Sequence, residues 1–508
     1  MPASAASFDL LVVGGGINGA GIARDAAGRG LTVLLAEQRD LASATSSWST
    51  KLIHGGLRYL EHYEFRLVAE ALAEREVLLR IAPHLVEPLS FVLPHEPHLR
   101  PAWMIRAGLF LYDRLGGRMS LPRSTSVRLD DSAWGAGLQR RFRKGFMYAD
   151  ARVDDARLVV ANAMSARDHG ADIRVGTRFV GARRDAGGWR ATLAGPRGHE
   201  EVAARAIVNA GGPWVADVLA ATDAKPSGAR VRHVKGSHIV VPRVHPEEHA
   251  YILQNSDQRI VFVIPYLERY SLIGTTDVPV DDYDAPRISD DEIDYLLELA
   301  NAYLARALDR ADVVWTYSGV RPLYDDGSSD PSAVTRDYVL KVDALDGPPG
   351  ADRAPVLSIY GGKITTYRRL AESALAELAP YFPAMKAAWT AGEALPGGEM
   401  PGGNRSACLA SLLARYPAIP AEVLRPLARR HGSQVPRVLG DAKRLADLGE
   451  PFGAGLYARE VDYLVEREWA CEPDDVLWRR TKCGLPMTPA ERARVFAYMA
   501  RRTARASA

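Results

Sequence analysis

The stretch Phe8–Glu37, FDLLVVGGGINGAGIARDAAGRGLTVLLAE, decides the fold of the amino-terminal part of the chain. It has an apolar run, a glycine loop, a helix of small residues, and a second apolar run that ends in an acid. Gly14, Gly16 and Gly19 have the G-x-G-x-x-G spacing of a dinucleotide-binding βαβ unit, whose helix amino terminus faces the pyrophosphate. Glu37 is placed to accept hydrogen bonds from a ribose 2′-hydroxyl and would repel a 2′-phosphate. The stretch therefore predicts a site for FAD or NAD rather than for NADP.

The composition is that of an ordinary globular protein. Its 508 residues predict two or three domains, and 64 basic against 62 acidic residues give a formal net charge of +2. This balance carries no signature of a nucleic-acid-binding protein. The cysteines, Cys408, Cys471 and Cys483, show no C-x-x-C spacing, so we expect reduced thiols. No metal-ligand, G-x-S-x-G or P-loop motif occurs, which gives no support to a metalloenzyme, a serine hydrolase or an NTPase.

One segment, residues 98–118, has the character of a membrane-contacting helix. No stretch approaches the roughly 18–20 apolar residues that span a bilayer. The run Ala102–Tyr112, AWMIRAGLFLY, is apolar and has basic residues within and beside it, among them Arg106 and Arg114. A basic, apolar helix of this kind is typical of a membrane interface. The spacing fits a buried helix of a second domain equally well.

Hydrophobic periodicity divides the rest of the chain. Apolar residues recur at helical spacing over 64–81, and 146–170 has a strand-then-helix pattern. Residues 206–214 form an apolar strand that ends in a glycine turn, a second place where the backbone can approach a dinucleotide. Short β-rich runs over 231–278 predict an antiparallel sheet. From about residue 387, a glycine-rich linker leads into Arg-, Leu- and Ala-rich helices, which predict a separate helical domain.

Residues that can carry chemistry occur after glycines and at the ends of predicted strands, where α/β proteins build sites. They are His54, Arg58, Tyr59, Lys235, His238, Arg321, Arg336, Lys363, Thr365, Thr366 and Arg368. Several cations beside a nucleotide fold suit an anionic substrate, because a guanidinium grips a phosphate or carboxylate at two points. A histidine among them can take a proton from a substrate hydroxyl. Each of these residues alone also fits a solvated, ion-paired or structural role.

Longer motifs carry a resemblance to a known family. They are VVGGGINGAGIARDAAGRGL, TSSWSTKLIHGGLRYLEHYEFRLVAEALAEREVLL, KGSHIVVPR, TYSGVRPL, YGGKITTYRRLAE and DDVLWRRTKCGL. From about residue 8 to the carboxyl terminus the chain resembles the FAD-dependent glycerol-3-phosphate dehydrogenases of the bacterial aerobic, respiratory type. One departure is the bulky Trp48, which lies in the loop of small residues that approaches the flavin in this family.

The resemblance implies an α/β fold of three parts. The first is a glutathione-reductase-like FAD-binding Rossmann domain over residues 8–81, 145–225 and 315–386. The second is an antiparallel-sheet substrate domain of the D-amino-acid-oxidase type over 82–144 and 226–314. The third is a helical cap domain over 387–508.

The resemblance also implies roles for individual residues. The residues implied to bind FAD are Gly14, Gly16, Gly19, Glu37, Thr45, Ser46, Ser47, Lys51, Gly55, Asn209, Ala210, Gly211, Gly361, Gly362, Thr365 and Thr366. The residues implied to bind substrate are Arg58, Tyr59, Arg321, Arg336 and Lys363, with Arg336 and either Lys363 or Arg58 on the phosphate. His238 is the expected base and His54 the second candidate, while Arg321 would polarise the substrate oxygen and Lys363 is a further acid–base candidate.

The implied reaction is oxidation of sn-glycerol 3-phosphate to dihydroxyacetone phosphate by hydride transfer to FAD, followed by reoxidation by ubiquinone. The implied setting is a homodimer bound through residues 98–118 to the lipid surface on the cytoplasmic face of the inner membrane. Three alternatives stay open at this point: an oxygen-using glycerol-3-phosphate oxidase, an amine or amino-acid oxidase on the same fold, and an FAD-binding protein without turnover.

Overall fold

The computed structural model of the protein describes residues 6–96, 100–185, 187–224, 230–254, 259–325, 337–347 and 353–507. Among these residues the strands are β1 (Ala6–Val13), β2 (Val33–Ala36), β3 (Leu52–Ile53), β4 (Val86–Pro94), β5 (Thr125–Arg128), β6 (Lys144–Val153), β7 (Asp172–Arg174), β8 (Arg178–Asp185), β9 (Gly188–Gly195), β10 (Gly198–Asn209), β11 (Arg230–Pro242), β12 (Ala250–Gln254), β13 (Ile260–Tyr266), β14 (Tyr270–Gly274), β15 (Val278–Pro279), β16 (Trp315–Asp325), β17 (Val339–Asp343), β18 (Val356–Tyr360), β19 (Pro451–Gly453) and β20 (Leu456–Tyr457). The α-helices are α1 (Ile17–Gly28), α2 (Phe65–Ile81), α3 (Ala102–Leu115), α4 (Asp155–Asp168), α5 (Val215–Ala220), α6 (Asp290–Asn301), α7 (Tyr367–Leu378), α8 (Arg405–Arg415), α9 (Ala421–His431), α10 (Val435–Leu439), α11 (Ala458–Glu468) and α12 (Pro489–Ser507).

The first sheet is the parallel sheet that the glycine-rich stretch predicts. Its strand order is β17-β18-β10-β1-β2-β7, and β1 pairs in parallel with both β2 and β10. Both faces of this sheet are covered, which is why β1 and β2 are continuous apolar runs rather than alternating ones. Leu10 and Val12 pack in one core with helices α1, α4 and α7, while Leu11 and Val13 pack in another with Trp189 of β9.

The second sheet is largely antiparallel, as the short β-rich runs over 231–278 predict. Its strand order is β15-β11-β14-β13-β12-β4-β6-β3, with β16 paired to β11 and β5 paired to β6. One pair, β12 with β4, is parallel. One face of the sheet packs against α6, and the other packs against α2 and α3.

Two long strands, β6 and β16, lie in the second sheet. The predicted domain boundaries assign residues 145–153 and 315–325 to the FAD-binding domain. In the structure, however, β6 pairs with β4 and β16 pairs with β11, both in the second sheet. An apolar strand has the same local pattern in either sheet, and only partners distant in the chain decide where it pairs. The remaining domain boundaries stay a prediction.

The helices of residues 401–507 have a core of their own, in which Phe452, Leu464 and Val476 are buried. Buried ion pairs join this core to the rest of the chain. Arg480 donates to Asp40 at 2.7 and 2.8 Å, Lys482 pairs with Asp154, and Arg157 donates to Glu468 at 3.0 Å. All three contacts reach residues beside β2 or at the start of α4, so the carboxyl-terminal helices brace the first sheet.

Helix α3 follows β4 and corresponds to the apolar segment that the sequence singles out. Trp103 is 70% exposed and Phe110 is 52% exposed, whereas Leu109 and Tyr112 are buried. The helix therefore has one apolar face outward and one inward. Among the described residues, no helix combines the length and the hydrophobicity needed to cross a membrane. The three cysteines are free thiols.

Acid should destabilise the carboxyl-terminal helices through Glu460. Its carboxylate accepts bonds from Arg430 at 2.6 and 2.7 Å, and Arg430 and His431 together hold the pKa of Glu460 at about 2 against 4.5 in an exposed glutamate, despite the burial that opposes this. Because the folded-state pKa is depressed, the stabilisation is complete above pH 4.5 and is lost as the pH falls toward 2. Glu460→Gln should therefore lower the free energy of unfolding by about 3 kcal/mol at neutral pH, and by less at acid pH.

Denaturant unfolding at several pH values, followed by tryptophan fluorescence, measures this difference. The matched control is Glu466→Gln on the same helix, whose carboxylate pairs with Arg502 and is 61% exposed. It should change the free energy of unfolding by less than about 1 kcal/mol. Equal effects of the two substitutions would contradict the role given to Glu460.

Candidate active site

A cleft of about 1270 Å³ opens between the carboxyl ends of the first sheet and the face of the second sheet. Most of the residues that the sequence predicts for a cofactor or substrate line it. They are Gly14, Gly16, Glu37, Thr45, Ser46, His54, Arg58, Tyr59, Ala210, Gly211, His238, Arg321, Gly361, Gly362, Lys363 and Thr365. In open α/β sheets, ligands bind at this edge of the strands. The fold thus brings together residues that are more than 300 positions apart.

The glycine turn between β1 and α1 closes one end of the cleft. Gly14 has a φ of +111°, and a Cβ there would lie 2.5 Å from the carbonyl oxygen of Ala210. A Cβ on Gly19 would lie 1.9 Å from the carbonyl oxygen of Gly14, so Gly19 lets the helix touch the turn and does not itself line the cleft. Gly16 precedes the first residue of α1, where backbone N–H groups without helical partners face an anion.

Glu37 stands at the end of β2 with its carboxylate at the cleft. Its two oxygens accept from the backbone N–H of Gly15 at 2.7 Å and of Arg39 at 2.8 Å. Burial raises the pKa of Glu37, and the two amide bonds oppose that rise. A carboxylate has about four acceptor positions, so capacity remains for a hydroxyl group. This fits the ribose contact that the sequence predicts.

The loop after β2 contributes only part of the residues expected from it. The Ser46 hydroxyl accepts from Ile17 N at 2.9 Å, and the Thr45 hydroxyl donates to Val320 O at 2.6 Å, and both residues line the cleft. Lys51 instead turns inward, where its ammonium pairs with Asp155 at 2.9 Å. Its amine also donates to the carbonyl of Ser47. Lys51 and Ser47 therefore support the loop from behind.

Three further residues expected at the cofactor lie behind the cleft wall. The Asn209 amide donates to Val215 O at 2.7 Å and accepts from Gly211 N at 3.2 Å, which shapes the turn after β10. Gly55 and Thr366 are buried and do not line the cleft. They support neighbouring residues that do line the cleft, and their own contacts with a cofactor stay a prediction.

The turn after β18 faces the start of α1. Gly361 and Gly362 have φ values of +73° and +101°, and the Asn18 amide donates to Gly361 O at 3.2 Å. A Cβ on Gly362 would lie 2.8 Å from that amide nitrogen. Asn18 was missed by the sequence reasoning, although its place directly before Gly19, the third glycine of the fingerprint, was a usable signal.

Cationic side chains collect at the other end of the cleft. The Lys363 ammonium lies 3.9 Å from the centroid of the Tyr59 ring, a cation–π contact. Arg321 pairs with Asp277 and donates to the Thr275 hydroxyl at 3.3 Å. A Cβ on Gly236 would lie 2.5 Å from the Arg321 guanidinium, so the glycine makes room for it.

The two histidines in the cleft are neutral. Burial, helped by Arg321 and Lys51, lowers the pKa of His238 well below 6.5. Its ring is stacked on Tyr317 with centroids 4.7 Å apart, and its Nε2 hydrogen-bonds with the Thr50 hydroxyl at 3.0 Å. Its buried Nδ1 finds no partner among the described residues. Burial also lowers the pKa of His54, against the pull of Asp150.

Lys235 and Arg368 are predicted to carry chemistry but do not line the cleft. Lys235 pairs with Glu292 at 2.9 Å, and Arg368 donates to Glu74 at 2.8 Å, so both are structural. Arg336 lies outside the described residues. Trp48 lines the cleft and packs on Tyr317, with ring centroids 5.5 Å apart.

Further residues line the cleft that the sequence did not single out individually. They are Thr50, Phe262, Thr275, Asp277, Arg178 and Trp214, among others. Single polar or aromatic residues on strands and loops have no local signal that separates them from ordinary packing or solvated positions.

Two family models match the chain. Residues 9–344 match the FAD dependent oxidoreductase family, and residues 388–504 match the C-terminal domain of alpha-glycerophosphate oxidase. Together they cover the second sheet, most of the first sheet and the carboxyl-terminal helices. The first match confirms FAD as the cofactor.

Characterised relatives extend over nearly the whole chain. Glycerol-3-phosphate dehydrogenase of Pseudomonas aeruginosa is 54% identical over 97% of this chain and 95% of its own length. Aerobic glycerol-3-phosphate dehydrogenase of Escherichia coli is 52% identical over 96% of both chains. D-erythritol 1-phosphate dehydrogenase of Brucella abortus is 49% identical, again over 96% of both.

A solved structure shows the same architecture with cofactor. The crystal structure of glycerol-3-phosphate dehydrogenase from Bacillus halodurans, complexed with FAD, superposes with a TM-score of 0.72. Its sequence is 27% identical, and the match covers 97% of this chain and 93% of that one. The predicted fold class, an FAD-binding Rossmann domain with an antiparallel substrate sheet and a helical carboxyl-terminal domain, is confirmed.

The glycine turn yields a direct test of cofactor retention. Gly19→Ala should lower FAD affinity at least about 10²-fold, because a Cβ 1.9 Å from the Gly14 carbonyl forces the helix away from the turn that meets the pyrophosphate. FAD retained on purification and the dissociation constant of added FAD, followed by flavin fluorescence, measure the change.

The control is Gly108→Ala, also in a helix, where nothing lies within 4 Å of the added Cβ. It should keep FAD and gain up to about 1 kcal/mol of stability. Normal FAD affinity in Gly19→Ala would refute the close-approach argument.

Proposed function

The chain belongs to the family of FAD-dependent glycerol-3-phosphate dehydrogenases, and on that premise we propose that it oxidises sn-glycerol 3-phosphate to dihydroxyacetone phosphate and passes the electrons to ubiquinone. The observation that carries the substrate assignment is the composition of the cleft. The cationic side chains that line it include Arg58, Arg321 and Lys363, and two neutral histidines lie in the same cleft. A phosphate dianion needs such cations, and an alcohol that is to be oxidised needs a base.

The residues that would hold FAD follow from the geometry of the cleft. The turn Gly14–Gly16 and the start of α1 suit the pyrophosphate, and Glu37 suits the ribose of the adenosine half. The other half of FAD, which carries the flavin, would be held by Thr45, Ser46, Gly211 and the turn at Gly361. FAD, when bound, supplies an acceptor for the hydride that leaves the substrate carbon.

The protein's own groups then have distinct tasks. Arg58 and Lys363 would bind the substrate phosphate, with Arg336 as the further cation that the family resemblance implies. Arg321 would polarise the substrate O2. Its guanidinium is held in place by a hydrogen bond to Thr275 and an ion pair with Asp277. Cations beside the O2 atom lower the pKa of the alcohol and favour loss of its proton.

His238 is the proposed base for the O2 proton. Its imidazole is neutral, because burial keeps its pKa well below 6.5, so it can accept a proton at neutral pH. Thr50 and Tyr317 fix the orientation of the ring. His54 is the second candidate, and its ring packs edge-on against Phe262 of the second sheet.

D-erythritol 1-phosphate is a second candidate substrate. The relative with that activity covers nearly the whole chain at an identity close to that of the glycerol-3-phosphate dehydrogenases. Both compounds present a phosphate and a secondary alcohol, so the cation set alone suits either.

The deciding experiment is an anaerobic titration of the purified yellow protein, with flavin absorbance followed at about 450 nm. We expect sn-glycerol 3-phosphate to bleach the flavin at lower concentration than D-erythritol 1-phosphate, and a ubiquinone analogue to restore the colour faster than air does. Tighter and faster bleaching by the erythritol compound would transfer the assignment to it. Rapid recovery in air with peroxide release would identify an oxidase, and no bleaching by either compound would refute the proposal.

His238→Ala should slow flavin reduction by about 10²–10⁴-fold, the usual contribution of a positioned base. Stopped-flow absorbance measures the rate. In the parent protein the rate should hold steady from about pH 8 to about pH 6.5 and fall only in more acid solution, because the folded-state pKa lies below 6.5. The matched control is His245→Ala, a buried histidine outside the cleft. An unchanged rate in His238→Ala would move the base role to His54.

We also propose that α3 lies on a lipid surface at the cytoplasmic face of the inner membrane. Its Trp103 and Phe110 are exposed, and Arg114 stacks on Phe110 with 3.4 Å to the ring centroid. Aromatic side chains rimmed by arginines are characteristic of helices that lie in a membrane interface. The homodimer implied by the family stays a prediction.

Removing the two exposed aromatics should release the protein from lipid. Trp103→Ser with Phe110→Ser should weaken co-sedimentation with vesicles of phosphatidylglycerol and phosphatidylethanolamine at least about tenfold, because the apolar area that enters the interface is lost. The control is Phe496→Ser, an aromatic on α12 that is 47% exposed. If the double variant sediments with vesicles as the parent does, the surface that meets lipid lies elsewhere.

A further inference from the structure

A single buried hydroxyl joins the outward-facing helix α3 to the wall of the cleft. Of the described side chains of α3, only Leu109 and Tyr112 are buried, and Tyr112 is the polar one. Its ring packs edge-on against Tyr148, with centroids 5.9 Å apart. Its hydroxyl reaches past the ring to the segment that begins at His54.

The hydroxyl of Tyr112 makes two hydrogen bonds. It accepts from the backbone N–H of Gly55 at 2.9 Å and donates to the Asp150 carboxylate at 2.7 Å. The other oxygen of Asp150 accepts from Arg75 at 2.6 Å, and Arg75 also donates to Ala149 O at 3.0 Å. Tyr112, Asp150 and Arg75 are each no more than 1% exposed. Burial and the neighbouring carboxylate raise the pKa of Tyr112 well above 10, so the phenol keeps the proton that it donates.

The fit around Gly55 is tight. A Cβ on Gly55 would lie 2.7 Å from the Tyr112 oxygen and 2.7 Å from a methyl carbon of Leu72. The next residue, Gly56, has a φ of +73°. The backbone at Gly55 is therefore held by one hydrogen bond in a space that only glycine fits.

This held backbone carries side chains of the cleft. His54 precedes Gly55 directly, and Arg58 and Tyr59 follow within one turn of 3-10 helix. Tyr59 in turn lies under the Lys363 ammonium. A shift of Gly55 moves these groups together relative to Arg321 on β16 and His238 on β11.

We propose that Tyr112 is a positioning residue for the reaction: its hydroxyl holds the segment His54–Tyr59 in place relative to His238 and Arg321. The inference rests on the proposed function, because the segment is assigned there to substrate. Without the hydroxyl, the Gly55 N–H and one oxygen of Asp150 lose their partner in a buried site. Such unsatisfied groups are costly, and the segment relaxes to find others.

The test is Tyr112→Phe in the FAD-loaded protein, which keeps the ring and removes only the oxygen. We expect FAD to be retained, and the rate of flavin reduction at saturating sn-glycerol 3-phosphate to fall about tenfold, because misplacement by a fraction of an ångström weakens alignment with the acceptor. Hydrogen exchange of the backbone amides of residues 54–59 should also become faster.

The matched control is Tyr251→Phe. Tyr251 is equally buried, and its hydroxyl shares its one proton between two carbonyls, those of Trp134 at 2.9 Å and Ala136 at 2.7 Å. It should lower the melting temperature about as much as Tyr112→Phe does and leave flavin reduction unchanged. This comparison separates positioning from a general loss of stability.

The outcomes are distinguishable from failure of the proposed function. If the parent protein is not bleached by the substrate, the proposed function is wrong. If the parent is bleached, and Tyr112→Phe is bleached at the same rate with unchanged exchange at 54–59, the positioning role is wrong. Should Tyr112→Phe not fold, Asp150→Asn, which keeps the hydroxyl but removes its charged acceptor, must show the slower reduction and faster exchange.

Discussion

The contact between the Gly14 carbonyl and the Cα of Gly19 is the constraint on which the rest of the structure depends. The space leaves no room for a single methyl group, so β1 and α1 meet at the backbone itself. This contact places the start of α1 at the carboxyl end of β1, and Ala210, directly after β10, packs against the same turn. The second sheet faces this edge of the first sheet, and the cleft lies between them.

The cleft combines cationic side chains with a neutral histidine, an arrangement that suits the oxidation of an alcohol. Its cations include Arg58, Arg321 and Lys363, whereas burial keeps the imidazole of His238 neutral. Arg321 lowers the pKa of this histidine further. In the proposed reaction the same guanidinium would stabilise an anionic substrate, and the neutral imidazole would accept its proton.

The carboxyl-terminal helices act on the cleft from behind its wall. Arg480 holds Asp40, three residues after Glu37, and Lys482 pairs with Asp154, next to the Asp155 that binds Lys51. Buried pairs of this kind add specificity of arrangement more reliably than stability. The motif DDVLWRRTKCGL therefore contains residues that hold the loop after β2 in place and do not line the cleft themselves.

The sequence by itself determined the βαβ unit, helix α2, the antiparallel runs and a set of residues most of which line the cleft, because glycine spacing and hydrophobic periodicity are local signals. It did not determine that β6 and β16 pair in the second sheet, that Lys51 turns to Asp155, or that Tyr112 reaches Gly55. The partner of Lys51 lies 104 positions away in the chain, and the partner of Tyr112 lies 57 positions away. Only the tertiary structure decided them, because a strand, a lysine or a tyrosine takes its role from what the fold packs against it, and no local pattern encodes that neighbour.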